Sequence, residues 1–297
     1  MTDEDRSEGT PVQLPIAPGA IRTVALAELD RTDAFVRSVS LQDWTKSSAS
    51  AEWSIGDVVA HLALTLGLYG RLLDAALSGR SAGGLWKAVG QVGKRVAPAA
   101  SPALNRLNKA VPRLMDRALA PEVIKGQFSA GARSLRGKIE RVGSGDYMRP
   151  VYYLGAPWPL SFFLASVVDE LGLHGWDMAS VLDPTARLSE EARSVIPWFF
   201  WSGTPFLLRL PKGTSGAVQV VLDDPPAEMW WQLAGPQPRQ GAGRTMRPDA
   251  TITGPSGIYS LVISGRIPLT DALRSPSLHL EGNDQLARAF LGAWRLV

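Results

Sequence analysis

The stretch from Val151 to Ser180 contains no lysine or arginine, yet it places a glutamate on a helix face that should be buried. Apolar residues precede and follow Glu170 and His174 at intervals of three or four, which is the spacing of one stripe along an α-helix. An unpaired carboxylate inside a protein costs several kcal/mol. Any fold of this chain must therefore bring a partner to Glu170.

One candidate partner is the histidine of the segment WSIGDVVAHLAL. A helix is predicted to begin at Ser54, because Ser54 and Asp57 have the spacing of a capping box. His61 lies on a stripe of that helix that is predicted to enter the core. The other members of the stripe are Val58, Thr65 and Leu68.

Three explanations for the carboxylate remain open from the residues alone. An arginine or lysine from elsewhere in the chain pairs with Glu170, a histidine bonds to it in a purely structural contact, or a metal ion binds it together with His61 and His174. The metal accounts for more of the pattern, because two imidazoles and one carboxylate on facing helices leave coordination positions for water or substrate. A closed structural zinc site would need a fourth ligand, usually cysteine, and the chain has none.

Three further polar residues stand out, and two of them have two interpretations each. Asp177, three residues after His174, is placed to orient a ligand imidazole, or equally to pair with an arginine or a backbone group. Arg266 in ISGRIPL follows a predicted helix and is either an anion-binding side chain or a plain surface arginine. His279, between two leucines of a predicted strand, should face solvent.

The predicted elements divide the chain into a helical part and an α+β part. Residues 1–19, acidic and then rich in proline, are predicted to be a disordered tail. Helical spacing dominates from about residue 20 to 181, and a connector helix is predicted over 189–196. Past Lys212, short β-type runs alternate with turns and helices. Strands are predicted over 217–222, 229–233, 250–253 and 278–281.

Residues 80–125 form a basic segment with nine lysines and arginines against two acids. One interpretation is an amphipathic arm for a membrane surface or an acidic partner. The favoured interpretation is a solvated helical insertion in the bundle, because charge runs on helices usually mark a wet face.

Composition and motifs exclude several classes of protein. The 31 basic and 28 acidic residues nearly balance, which argues against a nucleic-acid partner. The lack of cysteine and of a signal peptide predicts a cytoplasmic protein. No dinucleotide-binding or phosphate-binding glycine motif, nucleophile elbow or HExxH sequence is present.

Two segments resemble the mycothiol-dependent maleylpyruvate isomerase family. WSIGDVVAHLA is similar to the family's W-(S/T)-(V/I)-x-D-V-V-x-H-L segment, and DELGLHGWDMA is similar to its E-L-x-x-H-x-W-D-(L/I/M)-A segment. PDATITG, and ISGR followed by LEGND, resemble its C-terminal domain. The resemblance covers most of the chain from about residue 20 onward.

The resemblance implies a fold, a metal site and a cosubstrate. The fold is α plus α+β: a DinB-like up-down helical bundle over 20–188, with 80–125 as its basic insertion, then a connector helix and a smaller sterol-carrier-like domain over 189–297. The family's metal, typically Zn²⁺, is bound by residues that correspond to His61, Glu170 and His174. An arginine of the C-terminal domain is expected to reach the active cavity, and Arg266 is the candidate catalytic residue.

The leading hypothesis is a mycothiol-dependent metalloenzyme, an isomerase or a thiol S-transferase, in which a metal-activated thiolate attacks a small electrophile. A first alternative is a non-haem Fe(II) oxygenase, which uses the same two-histidine, one-carboxylate set. A second is a non-catalytic lipid-binding or interaction protein that uses the sterol-carrier-like domain and, at a membrane surface, the basic segment 80–125.

Overall fold

The structure is a computed structural model that describes residues 14–50, 52–79, 110–153, 156–234, 238–245, 247–274 and 277–294. Most of the basic segment, 80–109, and the first 13 residues of the predicted tail lie outside these ranges. The role of the basic segment therefore stays a prediction.

The N-terminal part is helical. Its helices are α1 (Pro18–Ser38), α2 (Leu41–Trp44), α3 (Ile55–Leu77), α4 over the described residues 110–118, α5 (Pro121–Glu140) and α6 (Leu160–Ala179). A short antiparallel hairpin of β1 (Pro150–Tyr153) and β2 (Ala156–Pro159) precedes α6. The other described helices follow the N-terminal part in the chain, and they are α7 (Glu190–Ser202), α8 (Thr204–Leu207), α9 (Ser256–Ile263), α10 (Leu269–Arg274) and α11 (Asp284–Leu291).

Four long helices form a closed bundle, in which α1 packs against α5 and α6, and α3 packs against the same two helices. Helix α6 is apolar on nearly every side, and most of its residues are buried. A helix that is hydrophobic all round belongs in the centre of a packed domain. The two helices that carry the predicted metal ligands, α3 and α6, are thus neighbours in the bundle.

The C-terminal part is a five-stranded sheet with helices packed against it. Its strands, in chain order, are β3 (Gly216–Asp223), β4 (Ala227–Leu233), β5 (Arg239–Ala242), β6 (Ala250–Pro255) and β7 (His279–Gly282). The spatial order is β5-β4-β3-β6-β7, and only the β3–β6 pair is parallel. Helix α7 contacts α1 and α6 of the bundle and α9 of the sheet unit, so it joins the two parts. The predicted fold class, helical first and α+β second, is confirmed.

Several predicted element bounds need correction. Helix α1 begins at Pro18, inside the predicted tail, because proline suits the first turn of a helix, where its missing N–H is not needed. The insertion predicted to end at residue 125 overlaps α5, and Lys125 is buried with its ammonium donating to the Val39 carbonyl. Helix α7 continues through Pro197 to Ser202, past the predicted end of the connector helix at residue 196.

One described helix, α3, is long and apolar enough to cross a membrane by length and composition. More than half of that stretch is buried inside the bundle, as in the core helix of a compact domain. Its apolar character is therefore explained by packing against α5 and α6.

Candidate metal centre

Helix α3 presents the first predicted ligand two turns after a well-capped start. The Ser54 hydroxyl accepts a hydrogen bond from the Asp57 amide, and the Asp57 carboxylate accepts one from the Ser54 amide. This is the capping box predicted from the sequence, and it satisfies two backbone donors that the first turn of a helix leaves free. His61 follows on the buried side of the helix.

Helix α6 brings the other two predicted ligands to the same place. The Nε2 atom of His61 lies 2.6 Å from Oε1 of Glu170, and the Nε2 atom of His174 lies 3.7 Å from the same oxygen. One donor atom from each residue falls within a group whose members are all within 4.8 Å of one another. The structure therefore brings together all three residues of the predicted ligand set.

The second ring nitrogen of His174 is held by a carboxylate. Its Nδ1 atom lies 2.8 Å from Oδ2 of Asp177, whose side chain is fully buried. With Nδ1 engaged there, the nitrogen that His174 offers to the cluster is Nε2. A ligand histidine typically donates its other N–H to a carboxylate in this way, which fixes the ring and its tautomer.

Arg266 reaches this carboxylate from the C-terminal part. Its Nε and one terminal nitrogen lie 3.2 Å and 3.0 Å from the two oxygens of Asp177, which is a bidentate ion pair. Both interpretations of Asp177 are thus realised, since it contacts an imidazole and an arginine at once. The geometry places Arg266 behind His174 rather than on the ligand atoms, and its predicted catalytic role stays a prediction.

Three carboxyl groups at the cluster, those of Glu170, Asp177 and Asp169, have pKa values that shift in different directions. Burial alone would raise the pKa of Glu170, but the hydrogen bond from His61 and the charges of His61, His174 and Arg266 lower it to about 2. The pKa of Asp177 is also lowered against the effect of burial, by His174 and Arg266. Burial and the neighbouring Glu170 charge raise the pKa of Asp169 well above its ordinary value.

Two residues near the imidazoles were not assigned a role from the sequence. The ring of Trp53 lies 4.9 Å from the His61 ring and 5.9 Å from the His174 ring, centroid to centroid. The Thr65 hydroxyl lies 3.5 Å from Nε2 of His61. The i,i+4 spacing from His61 was the available signal for Thr65, whereas nothing in the spacing marks Trp53 as a neighbour of both rings.

The predicted core stripe of α3 is only partly correct. Val58 is fully buried and Thr65 is half-buried, but Leu68 is 42% exposed. The stripe therefore leaves the core shortly after His61, and the histidine lies where the interior meets the surface. The third histidine, His279, is exposed on β7, as predicted.

The residues fit a divalent metal ion. The donor set has borderline nitrogen ligands and one hard oxygen, which suits zinc and also iron. Three protein ligands would leave at least one coordination position for an exogenous group. The direct His61–Glu170 contact also satisfies the purely structural explanation, so the geometry is compatible with both.

Comparisons with known proteins point to one family. A family model described as the mycothiol maleylpyruvate isomerase N-terminal domain matches residues 25–179. A crystal structure of the mycothiol-dependent maleylpyruvate isomerase matches with a TM-score of 0.55 and 13% sequence identity, over 90% of this chain and 93% of that chain. A mutant of that enzyme with histidine replaced by alanine matches with a TM-score of 0.55 and 12% identity over the same shares. No curated protein matches the sequence. At these identities the solved structures show a shared fold.

Proposed function

The chain belongs to the mycothiol maleylpyruvate isomerase family, and on that premise we propose that it is a metal-dependent enzyme that uses mycothiol to attack a small electrophile. Isomerisation is the reaction that the family name favours, and S-transfer is the alternative outcome of the same attack. The family identifies an enzyme, while the metal, the ligand residues and the substrate are proposals.

The convergence of His61, Glu170 and His174 carries this proposal. Their donor atoms lie within 4.8 Å of one another, beside the core, on two helices that pack together. The cluster also has a dedicated orienting group, because Asp177 holds His174 by its second nitrogen. A purely structural His–Glu contact would not require that second imidazole to be aimed at the same carboxylate oxygen.

A divalent cation bound by these three residues would stabilise a thiolate near neutral pH. The chain has no cysteine, so the sulfur would have to come from a small-molecule thiol. Mycothiol is the thiol named by the family model, and we propose it as the cosubstrate.

The chain's own groups hold this site ready. In the metal-free protein Glu170 is ionised at neutral pH, because its pKa is about 2, and a cation would bind once the proton that His61 donates to this carboxylate has been released. Asp177 fixes the ring of His174, and Arg266 in turn neutralises Asp177. We propose that Arg266 is a positioning residue that acts through Asp177.

In the proposed isomerisation, the thiolate sulfur adds to one carbon of a conjugated cis double bond and its electrons pass to the adjoining carbonyl. The former double bond, now single, rotates, and expulsion of the thiolate restores the double bond in the trans geometry. The thiol is regenerated. In S-transfer the same thiolate displaces a leaving group and stays bonded to carbon.

We propose that the protein is cytoplasmic, because low-molecular-weight thiols are kept reduced in that compartment.

Calorimetric titration of the zinc-loaded protein with mycothiol tests the proposal. We expect binding that disappears when the metal is removed and weakens strongly in His174→Ala. His279→Ala is the matched control, because it removes the exposed histidine of β7 and should leave thiol binding unchanged. Mycothiol binding that is equal in the metal-free protein and in His174→Ala contradicts the proposed role of the cluster.

Metal content and oxygen consumption separate the alternatives. The proposal predicts a colourless zinc protein whose reaction is indifferent to oxygen. A protein that purifies with iron and consumes oxygen supports the oxygenase alternative instead. Binding of lipid vesicles without any metal-dependent thiol reaction supports the alternative of a non-catalytic lipid-binding protein.

A further inference from the structure

After His61, one face of α3 has leucine side chains that are exposed to solvent. Leu64, Thr65 and Leu68 stand three, four and seven residues after His61, so all of them share its side of the helix. Leu64 is 43% exposed, Leu68 is 42% exposed, and Thr65 between them is half-buried. We call these three residues the α3 wall.

The proposed ligand atom of His61 faces this wall. Nε2 lies 2.6 Å from Glu170 and 3.5 Å from the Thr65 hydroxyl, which is one turn further along the helix. A group bound to the cluster would therefore lie next to Thr65, with the two exposed leucines beyond it. Single exposed leucines are ordinary on a protein surface, but here two of them continue the face on which the candidate site lies.

The charges around the cluster do not favour a second anionic group. In the described part of the chain, the arginine or lysine that acts on Glu170 is Arg266, and Asp177 already occupies its planar fork. Maleylpyruvate carries a carboxylate at each end. An anion at the far end of such a substrate would meet the α3 wall, which offers it no charge and one hydroxyl.

We infer that the α3 wall determines substrate specificity and accepts an uncharged apolar group. The substrate of this protein is then an electrophile whose reactive carbon carries an alkyl or similar chain, rather than a dicarboxylate. The reaction itself rests on the function proposed above, whereas the wall rests on the positions of Leu64, Thr65 and Leu68.

Binding of a series of unreactive alcohols tests the α3 wall independently of the thiol reaction. Straight-chain alcohols from butanol to octanol are titrated into the zinc-loaded protein, and affinity is measured by ligand-observed NMR. Each methylene buried against the wall should raise the affinity roughly two- to fourfold. The double variant Leu64→Ser/Leu68→Ser should lose this dependence on chain length.

Leu41→Ser is the matched control, because Leu41 is an exposed leucine of α2, at 63% exposure, outside the wall. It should keep the chain-length dependence of the wild type, and circular dichroism should show all variants folded. A flat series in the wild type, or the same slope in the double variant as in Leu41→Ser, overturns the inference.

Turnover with mycothiol then separates this inference from the proposed function. We expect a higher kcat/KM for the isomerisation of a cis-3-alken-2-one with a long alkyl chain on its β-carbon than for maleylpyruvate, and a selective loss for the long chain in the double variant. Preference of the wild type for maleylpyruvate overturns the inference and leaves the proposed function intact. No metal-dependent thiol reaction with any electrophile overturns the proposed function, while the alcohol series still decides whether the wall binds apolar chains.

Discussion

Two polar side chains, the buried Gln219 of the C-terminal part and the half-buried Glu170 of the bundle, obtain their hydrogen-bond partners in opposite ways. Gln219 of β3 is 3% exposed, and its amide nitrogen donates to the carbonyl oxygens of Met229 and Gly243 while its oxygen accepts from the Thr245 amide. Glu170 of α6 has no such backbone partners among its described contacts and meets the side chains of His61 and His174 instead.

The difference distinguishes a polar side chain that only stabilises the fold from one that can bind a ligand. A neutral amide whose partners are backbone groups of adjoining segments is complete without any ligand. A carboxylate that shares two imidazoles leaves lone pairs directed at a common point, and a cation can bind there. Substitution of Glu170 should therefore affect metal binding, whereas substitution of Gln219 should affect only the stability of the fold.

The largest expected effect is on stability, at the carboxylate behind the cluster. Asp177→Ala should lower the free energy of unfolding by about 3–5 kcal/mol, because it leaves the buried Arg266 guanidinium and His174 without their partner. Denaturant unfolding of the metal-free protein measures this. The double variant Asp177→Ala/Arg266→Met should recover part of the loss, and a loss under 1 kcal/mol in the single variant would show that the ion pair is not buried as described.

The next effect is on metal binding, where we expect Glu170 and Gln219 to differ most clearly. Glu170→Gln should weaken zinc binding by more than the roughly 10- to 100-fold that loss of an outer partner costs, because an anionic ligand atom is removed. Competition with a chromophoric chelator measures the affinity. Gln219→Met should leave zinc affinity unchanged while costing about 1–3 kcal/mol of stability, since it strands the backbone groups around it. Equal zinc affinities in Glu170→Gln and the wild type would show that the Glu170 carboxylate does not bind the metal.

A third effect is a pH dependence of the metal-free protein. The folded-state pKa of Glu170 is about 2, below its ordinary value of 4.5, because the hydrogen bond from His61 and the nearby positive charges outweigh burial. A depressed carboxyl pKa stabilises the fold above the ordinary value, and that contribution is lost as the pH falls through the folded value. The free energy of unfolding should therefore fall between about pH 4.5 and pH 2.

The pH dependence is checked with the variants Glu170→Gln and Gln219→Met, of which the second is the control. Over the same pH window, Glu170→Gln should flatten the fall, whereas Gln219→Met should keep the wild-type slope. An identical slope in Glu170→Gln would mean that the Glu170 carboxylate is not held ionised by the imidazoles.

The smallest effect is expected at the start of α3. Ser54→Ala removes the side-chain acceptor for the Asp57 amide and should cost about 1 kcal/mol of stability. Zinc affinity should stay the same, because His61 lies two turns away within a helix fixed by packing. Thermal unfolding measures the first quantity, and a large loss of zinc affinity would show that the cap positions the ligand.

Much of this organisation follows from local sequence signals. The capping box at Ser54 and the four-residue spacing of Glu170 and His174 depend on helix geometry alone, and both are observed. The strands predicted at 217–222, 229–233 and 250–253 lie within β3, β4 and β6, because they alternate or continue apolar residues between turn signals.

What the sequence did not indicate depends on contacts between distant segments. Arg266 and Asp177 are 89 positions apart, and no local pattern says that an arginine after α9 pairs with the carboxylate behind His174. Strand β5, with the sequence RQGA, has no apolar alternation and exists because it pairs with β4. Helix α7 passes Pro197 because packing against α6, α9 and α1 outweighs the local cost of the proline.

X-ray absorption at the zinc edge of the metal-loaded protein identifies the atoms that bind the metal. We expect two imidazole nitrogens at about 2.0–2.1 Å and a carboxylate oxygen at a similar distance, with one imidazole lost in His61→Ala and none lost in His279→Ala. Zinc without imidazole scattering, or with the same imidazole count in His61→Ala as in the wild type, would contradict the proposed ligand set.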